Sequence, residues 1–202
     1  MAKLTPRFVT DDIPNTVPKP GNPKIAEWHV EFGHADNNSQ DMEVSLDYLE
    51  SLIKSEVANG TPANRIVIFG DSQGASLAGL FLLTRRIAAD LGAVITYAGF
   101  SALDLQSILR MQREHGLEGR WSKDTTLFML HGNSDVFAPL EIGQAWRNQL
   151  QGFRNRSQGI ARMEWKVLNG IRHALIDRVW PHVREILVRA VPAGAQKPSH
   201  KL

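Results

Sequence analysis

The chain has 202 residues, a length that suits a single domain. Hydrophobic residues make up 43% of it and charged residues 22%, close to the average of globular proteins, so we expect a packed core and exclude global disorder. Twenty-three Lys and Arg against 21 Asp and Glu leave a net charge of +2, too small an excess, and without any block of like charges, to indicate nucleic-acid binding.

The predicted elements alternate between strands and helices. RFVT (7–10) is a short strand candidate, and apolar residues spaced three and four apart predict an amphipathic helix over 40–58. Short apolar runs predict strands at 65–69, 93–100, 126–130 and 162–168. Helices are predicted between and after them, over 73–90, 103–115, 139–152 and 174–190. This alternation predicts an α/β fold, a three-layer sandwich with a mostly parallel sheet.

Three of the predicted strand ends carry residues with catalytic chemistry. Ser72 follows the strand RIVIF, Asp135 follows TLFML, and His173 follows RMEWKVL. Ligands bind at the carboxyl ends of the strands in such sheets. The chain order Ser, Asp, His is the order used by α/β-hydrolases, in which a G-x-S-x-G turn carries the nucleophile.

The stretch FGDSQGAS (69–76) contains that turn. We expect the strand to reverse into a helix within a few residues and to hold the serine hydroxyl clear of the backbone in strained dihedral angles. Side chains at Gly70 and Gly74 are expected to collide with neighbouring backbone, which explains a glycine at each position. A helix beginning near Gln73 would point its free N–H groups at the place where an oxyanion forms.

The roles follow from acid–base chemistry. A serine hydroxyl is a weak nucleophile unless a base takes its proton, and His173 is the candidate base. Asp135 would orient the imidazole and stabilise its charged form. Each residue alone also has a plain structural interpretation: the serine motif by chance, Asp135 as a helix cap or loop residue, His173 as a packing or surface histidine. The ordered combination favours the catalytic interpretation.

The same residues resemble a known family. The segments NRIVIFGDSQGASLAG, LHGNSDVFAPL and NGIRHAL are similar to the phospholipase/carboxylesterase family, which includes acyl-protein thioesterases and small carboxylesterases. The upstream segment LDYLESLIKSEVANGTPANRI also resembles the family. The resemblance as a whole covers residues 5–190. The resemblance implies an α/β-hydrolase fold and an ester or thioester hydrolase without metal or organic cofactor. It implies Ser72 as nucleophile, Asp135 as acid, His173 as base and the Gln73 N–H as one oxyanion donor.

The chain also departs from the family pattern. Asp71 stands where the family has Phe before the serine, and Ala75 replaces a second glycine. No L-H-G-x-G-D-like loop, which supplies the family's second oxyanion N–H, precedes Ser72. We therefore expect an N-terminally shortened hydrolase. These departures leave an alternative open, a weakly active or non-hydrolytic descendant that binds or transforms a small biosynthetic intermediate.

The expected partner is a small acyl ester or thioester, or an acylated protein. KIAEWHVEF (24–32), which contains Trp28, resembles a segment that borders the family's acyl site. Trp28 and Phe137 could line an apolar acyl pocket and are the candidate substrate-binding residues, with core packing as the alternative for each. A homodimer in which an exposed region of the sheet pairs across chains is a further possibility to be tested.

The C-terminal residues and the absence of cysteine are the features that we use to predict the domain limits and the cellular location. We expect one domain over 1–190 and a loose tail over 191–202. The absence of cysteine excludes disulfides and thiolate metal sites and fits the cytoplasm. His200-Lys201-Leu202 matches the peroxisomal S-K-L signal poorly, and a peroxisomal location is the alternative. No apolar run approaches the ~18 residues of a membrane span.

Overall fold

The computed structural model describes residues 35–119, 124–173 and 176–191. In chain order, its main elements are α1 (Ala35–Ala58), β1 (Val67–Asp71), α2 (Gln73–Thr84), β2 (Ala93–Tyr97), α3 (Leu105–Glu114), β3 (Thr126–Gly132), α4 (Leu140–Asn155), β4 (Arg162–Leu168) and α5 (Ile176–Ala190). Short 3-10 helices span Ala63–Arg65 and Arg86–Asp90. The four strands predicted from 65 onward and the helices between them are therefore confirmed.

The four strands form one parallel sheet in the order β1-β2-β3-β4. Asp71 at the end of β1 lies beside Tyr97 of β2, which lies beside Leu130 of β3. Because the strands are parallel, the segments that follow β1, β3 and β4 leave the sheet at the same edge. This topology places the three candidate catalytic residues at one rim.

Alternate residues of each strand point to opposite faces of the sheet, and helical structure covers both faces. On one face, Val94, Leu127 and Met129 pack in a core that also holds the buried side chains of α1, α2, α3 and α4. On the other face, Ile95 and Phe128 pack against α5 through a second core. Helices α1 to α4, the sheet, and α5 thus form three layers, which confirms the predicted fold class.

Several element boundaries differ from the predictions by a few residues, among them β1, which spans Val67–Asp71 rather than 65–69, and α1, which begins at Ala35 rather than at 40. Two of the differences have local backbone reasons. The strand predicted over 93–100 ends at Tyr97, because Ala98 has a φ of 52° that turns the chain out of the sheet. The helix predicted to run from the elbow to about residue 90 ends at Thr84. Arg85 is extended, with φ −127° and ψ 122°, and a separate 3-10 turn follows it.

Several predictions lie outside the described residues. They are the strand candidate RFVT, the segment containing Trp28, the loss of an N-terminal strand and oxyanion loop, and the tail beyond residue 191. None of the helices described is both long enough and apolar enough to cross a bilayer.

Candidate active site

Ser72 occupies a sharp turn between β1 and α2. Its φ of 53° and ψ of −115° lie in a region that non-glycine residues rarely adopt, and it directly precedes Gln73, the first residue of α2. A Cβ atom added to Gly70 would overlap the carbonyl of Gly74, so the backbones on either side of the serine touch. The strained serine and the close approach at Gly70 agree with the expected elbow geometry.

Gly74 does not have the reason that we expected for it. An added Cβ there meets no heavy atom within 4 Å among the described residues, and its φ is not positive. A Cβ at Gly70 would meet the backbone of Gly74 and Ala75 in the first turn of α2, whereas no such neighbour is described for Gly74. The expectation of a steric need at both glycines was wrong for Gly74.

Asp135 lies in the loop after β3, with its side chain fully buried. Its Oδ1 accepts hydrogen bonds from the backbone N–H groups of Phe137 and Ala138, each 2.9 Å long. These two donors stabilise the ionised carboxylate and fix its orientation. The other oxygen, Oδ2, is left to face His173.

The His173 ring bridges the two other side chains. Its Nδ1 lies 2.7 Å from Asp135 Oδ2, and its Nε2 lies 2.8 Å from Ser72 Oγ. Because a carboxylate only accepts, Nδ1 carries the proton, and the neutral ring presents the Nε2 lone pair to the serine hydroxyl. The arrangement can draw a proton from Ser72 while Asp135 compensates the charge on the ring.

Backbone donors also point to this rim. Gln73 is the first residue of α2, and the first N–H groups of a helix have no acceptor within the helix. They lie at the positive end of the helix dipole, next to the Ser72 side chain. The position suits the stabilisation of negative charge on an oxygen bound beside the serine.

A second histidine, His131, lies close to the Asp135 loop and has a structural role. His131 in β3 is buried, and its Nε2 donates a 2.8 Å hydrogen bond to the carbonyl of Ala138. Its ring stacks on Trp165 with centroids 5.8 Å apart. His131 thus supports the loop that donates to Asp135, without touching Ser72.

Of the two candidate substrate-binding residues, one is described. The Phe137 ring lies 5.7 Å from the His173 ring, centroid to centroid, and the residue is 77% exposed. Core packing, the alternative for Phe137, is therefore wrong. A cavity of 230 Å³ between β4 and α5 does not reach Ser72, Asp135 or His173 and is not part of this site.

Within the described ranges, no cluster of three or more His, Asp or Glu side chains is arranged to hold a metal ion.

The sequence profile of the phospholipase/carboxylesterase family matches residues 9–188. The chain belongs to this family. The match covers the elbow, the Asp135 loop and the His173 loop, the same segments on which the resemblance was based.

Two of the relatives that the chain is similar to are fungal proteins. A Saccharomyces cerevisiae protein named acyl-protein thioesterase 1 is 29% identical over 152 residues, which cover 75% of this chain and 60% of that protein. A Neurospora crassa protein of the same name is 28% identical over 158 residues, 78% of this chain and 59% of that protein. The chain thus spans about 60% of the length of these curated relatives.

Solved structures share the fold. A variant of SOBER1 from Arabidopsis thaliana superposes with a TM-score of 0.63 at 20% identity, over 81% of this chain and 74% of that one. At this level of identity the likeness concerns the fold alone. It agrees with the parallel sheet and the helical layers described above.

Asp71 lies at the same rim of the sheet, and its surroundings change the pKa of its carboxyl. The residue is exposed, yet protein atoms close to its carboxyl displace water, and this raises its pKa above the usual 3.8. His173 opposes the rise and Asp135 adds to it, leaving the pKa raised overall. Folding therefore favours the neutral form of Asp71.

We expect Asp71→Asn to raise the melting temperature at about pH 7. The gain in the free energy of unfolding should be less than about 1 kcal/mol, because the residue is exposed. A carboxyl whose pKa rises on folding contributes most to stability when protonated, and the contribution is lost as the pH rises through the folded-state pKa. The asparagine stays neutral, so its advantage should vanish below the unfolded-state pKa of 3.8. Thermal unfolding across this range measures the difference.

Asp104 provides a control of opposite sign. Its pKa is lowered, chiefly by the Ser107 backbone N–H, which donates to Asp104 Oδ1 over 2.7 Å. Asp104→Asn should therefore lower the melting temperature at neutral pH and lose this effect in acid. Equal shifts for the two substitutions at every pH would contradict the role given to Asp71.

Proposed function

We propose that this chain is a serine hydrolase that cleaves carboxylic ester or thioester bonds of acyl substrates through an acyl-enzyme on Ser72. The observation that carries the proposal is the continuous hydrogen-bond path from Asp135 Oδ2 through the His173 ring to Ser72 Oγ, with steps of 2.7 and 2.8 Å. Family membership and the fungal acyl-protein thioesterases give independent support.

In the first half-reaction, Ser72 Oγ attacks the acyl carbonyl carbon while His173 Nε2 takes the hydroxyl proton. The carbonyl oxygen becomes an oxyanion, and the Gln73 N–H is proposed as one donor to it. As the tetrahedral intermediate collapses, the bond to the alcohol or thiol breaks, and the leaving group receives the proton from His173. The acyl group remains on Ser72.

In the second half-reaction, a water molecule attacks the acyl carbonyl and gives one proton to His173 Nε2. Collapse of the second intermediate breaks the bond to Oγ, returns that proton to Ser72 and releases the carboxylic acid. Asp135 keeps the ring oriented in both halves and stabilises the imidazolium.

For substrates, we propose acyl chains whose apolar part contacts Phe137, together with Trp28. The exposed Phe137 ring lies beside His173 and offers apolar surface at the place where an acyl chain would leave the carbonyl. The names of the fungal relatives add acylated proteins as a substrate class to be tested.

A fluorophosphonate probe tests the proposal on the full chain. The probe phosphorus should become bonded to Ser72 Oγ with loss of fluoride, and mass spectrometry of the digest should place the label on the peptide containing Ser72. Ser72→Ala should remain unlabelled, whereas Ser134→Ala, the neighbour of Asp135 in the acid loop, should label like the wild type.

Failure to label a folded sample contradicts the acyl-enzyme. An activity that Ser72→Ala retains would favour the alternative, a descendant that works without covalent catalysis. The homodimer and the cytoplasmic location remain predictions from the sequence. Light scattering that shows a monomer at every concentration would contradict the homodimer.

A further inference from the structure

Tyr97 lies at the last position of β2, between the strands that lead to Ser72 and to Asp135. It is completely buried, and it is one of the two tyrosines of the chain. The sequence patterns gave no reason to select it, since a tyrosine in an apolar strand is ordinary core composition. Its contacts set it apart from the other core residues.

Two different atoms of Tyr97 contact the two sides of the site. Its backbone carbonyl accepts the N–H of Ser72 over 2.9 Å. Its side-chain hydroxyl donates to the carbonyl of Arg172, the residue before His173, over 2.7 Å. One residue therefore connects the strained nucleophile turn to the backbone that carries the base.

The remaining contacts of the histidine loop lead elsewhere. The Ile171 carbonyl accepts the Ser134 N–H over 3.1 Å, and the Gly170 N–H donates to Asn133 Oδ1 over 2.8 Å. These bonds tie the loop to the segment carrying Asp135. The Tyr97 hydroxyl supplies a direct tie between Arg172 and the central strand next to Ser72.

The hydroxyl remains a donor at every pH at which a histidine base works. Burial, followed by the negative charges of Asp135 and Asp71, raises the pKa of Tyr97 to about 12. The phenol is thus protonated across neutral pH, and its buried position keeps water from replacing it at the Arg172 carbonyl.

We propose that Tyr97 is a positioning residue that sets the distance between His173 Nε2 and Ser72 Oγ. The inference rests on the proposed function for its kinetic consequences, because it acts through the base of that reaction. Proton transfer depends steeply on the separation of the reacting atoms, so a loosened Arg172 peptide is expected to slow the chemical step without weakening substrate binding.

Tyr97→Phe removes the hydroxyl and leaves the ring. We expect kcat for a p-nitrophenyl ester to fall by about 10-fold, with KM unchanged and the rate of fluorophosphonate labelling reduced by a similar factor. The low-field NMR resonance of the proton between His173 Nδ1 and Asp135 should broaden or shift, because the ring samples more positions.

Thr125→Val is the matched control. Thr125 is also buried, and its hydroxyl donates to the carbonyl of Ala88 over 2.7 Å, in a segment that precedes β3 at the opposite end of the sheet. Thr125→Val removes a buried hydroxyl whose hydrogen bond has the same length as that of Tyr97, and it should lower the melting temperature comparably. Its kcat and its low-field resonance should match those of the wild type.

The outcomes separate the two proposals. A wild type that neither hydrolyses esters nor labels contradicts the proposed function, and the NMR comparison still tests Tyr97. A Tyr97→Phe protein whose kcat and resonance equal those of Thr125→Val overturns the positioning role.

A second measurement applies if Tyr97→Phe does not fold. Because the chain has two tyrosines, a Tyr48→Phe protein grown with fluorotyrosine carries fluorine at Tyr97 alone. A fluorine signal that is unchanged from about pH 5 to 8, the range in which histidine changes its charge, then overturns the role.

Discussion

Asp135→Asn should lower kcat by about 10³–10⁴-fold while the protein stays folded. Oδ1 of Asp135 accepts two backbone N–H groups, from Phe137 and Ala138. An asparagine must keep its oxygen on these two donors, which turns its NH₂ group toward His173 Nδ1. The ring then has to accept at Nδ1 and carry its proton on Nε2, facing Ser72.

A histidine protonated at Nε2 cannot take the serine proton, so the loss concerns the chemical step, and KM should change little. Steady-state kinetics on a p-nitrophenyl ester measure it. Asp104→Asn, at the start of α3, is the control, since it also exchanges a carboxylate that accepts a backbone N–H and should leave kcat unchanged. A kcat for Asp135→Asn within about tenfold of the wild type would contradict the arrangement that we describe.

The sequence was sufficient to place the site on the fold. Parallel strands end at a common edge, so three residues that each follow a strand were expected to be neighbours, and Ser72, Asp135 and His173 do lie within hydrogen-bond reach. The prediction needed no knowledge of loop conformations. It needed only the order of elements and the residue type directly after each strand.

Contacts that depend on side-chain packing were beyond the same reasoning. Nothing in AVITYAGF indicates that the Tyr97 hydroxyl reaches a carbonyl 75 positions later in the chain. The steric argument for Gly74 failed for a similar reason, since the spacing of a motif does not say which Cα faces a neighbouring backbone. Periodicity reports which face of an element is buried, not which atoms meet there.

Arg85 is a second residue whose role could not be predicted from its sequence context. It follows α2 and is only 2% exposed, which is rare for arginine. Its Nη2 contacts Glu43 and Asp47, and its Nε lies 3.2 Å from Glu50. The three carboxylates share one side of α1, so a single guanidinium ties that helix to the end of α2. The pair Arg85-Arg86 would by itself suggest two solvent-exposed side chains. The burial of Arg85 follows from the packing of α1 against the end of α2.

Arg85→Ala should therefore reduce the free energy of unfolding by about 3–5 kcal/mol. The substitution removes the buried cation that Glu43, Asp47 and Glu50 share. It leaves Lys54, 2.8 Å from Glu50, as a cation beside them. The lost attraction to these carboxylates adds to the lost packing of the side-chain stem. Domains of this size are stable by only about 5–15 kcal/mol, so the variant should unfold at much lower urea concentration. Urea titration followed by tryptophan fluorescence measures the change.

Arg86→Ala is the matched control for this loss. Arg86 is the next residue, is exposed, and makes a 3.2 Å hydrogen bond to the Gly116 carbonyl. Its removal should cost no more than about 0.5 kcal/mol, as for other surface substitutions. Asp47→Asn should also cost little, because Asp47 is 69% exposed and two carboxylates remain on Arg85. If Arg85→Ala unfolded at the same urea concentration as Arg86→Ala, the buried guanidinium would not be what fastens α1 to α2, and the apolar contacts of Met42, Leu46 and Ile53 would have to hold that helix alone.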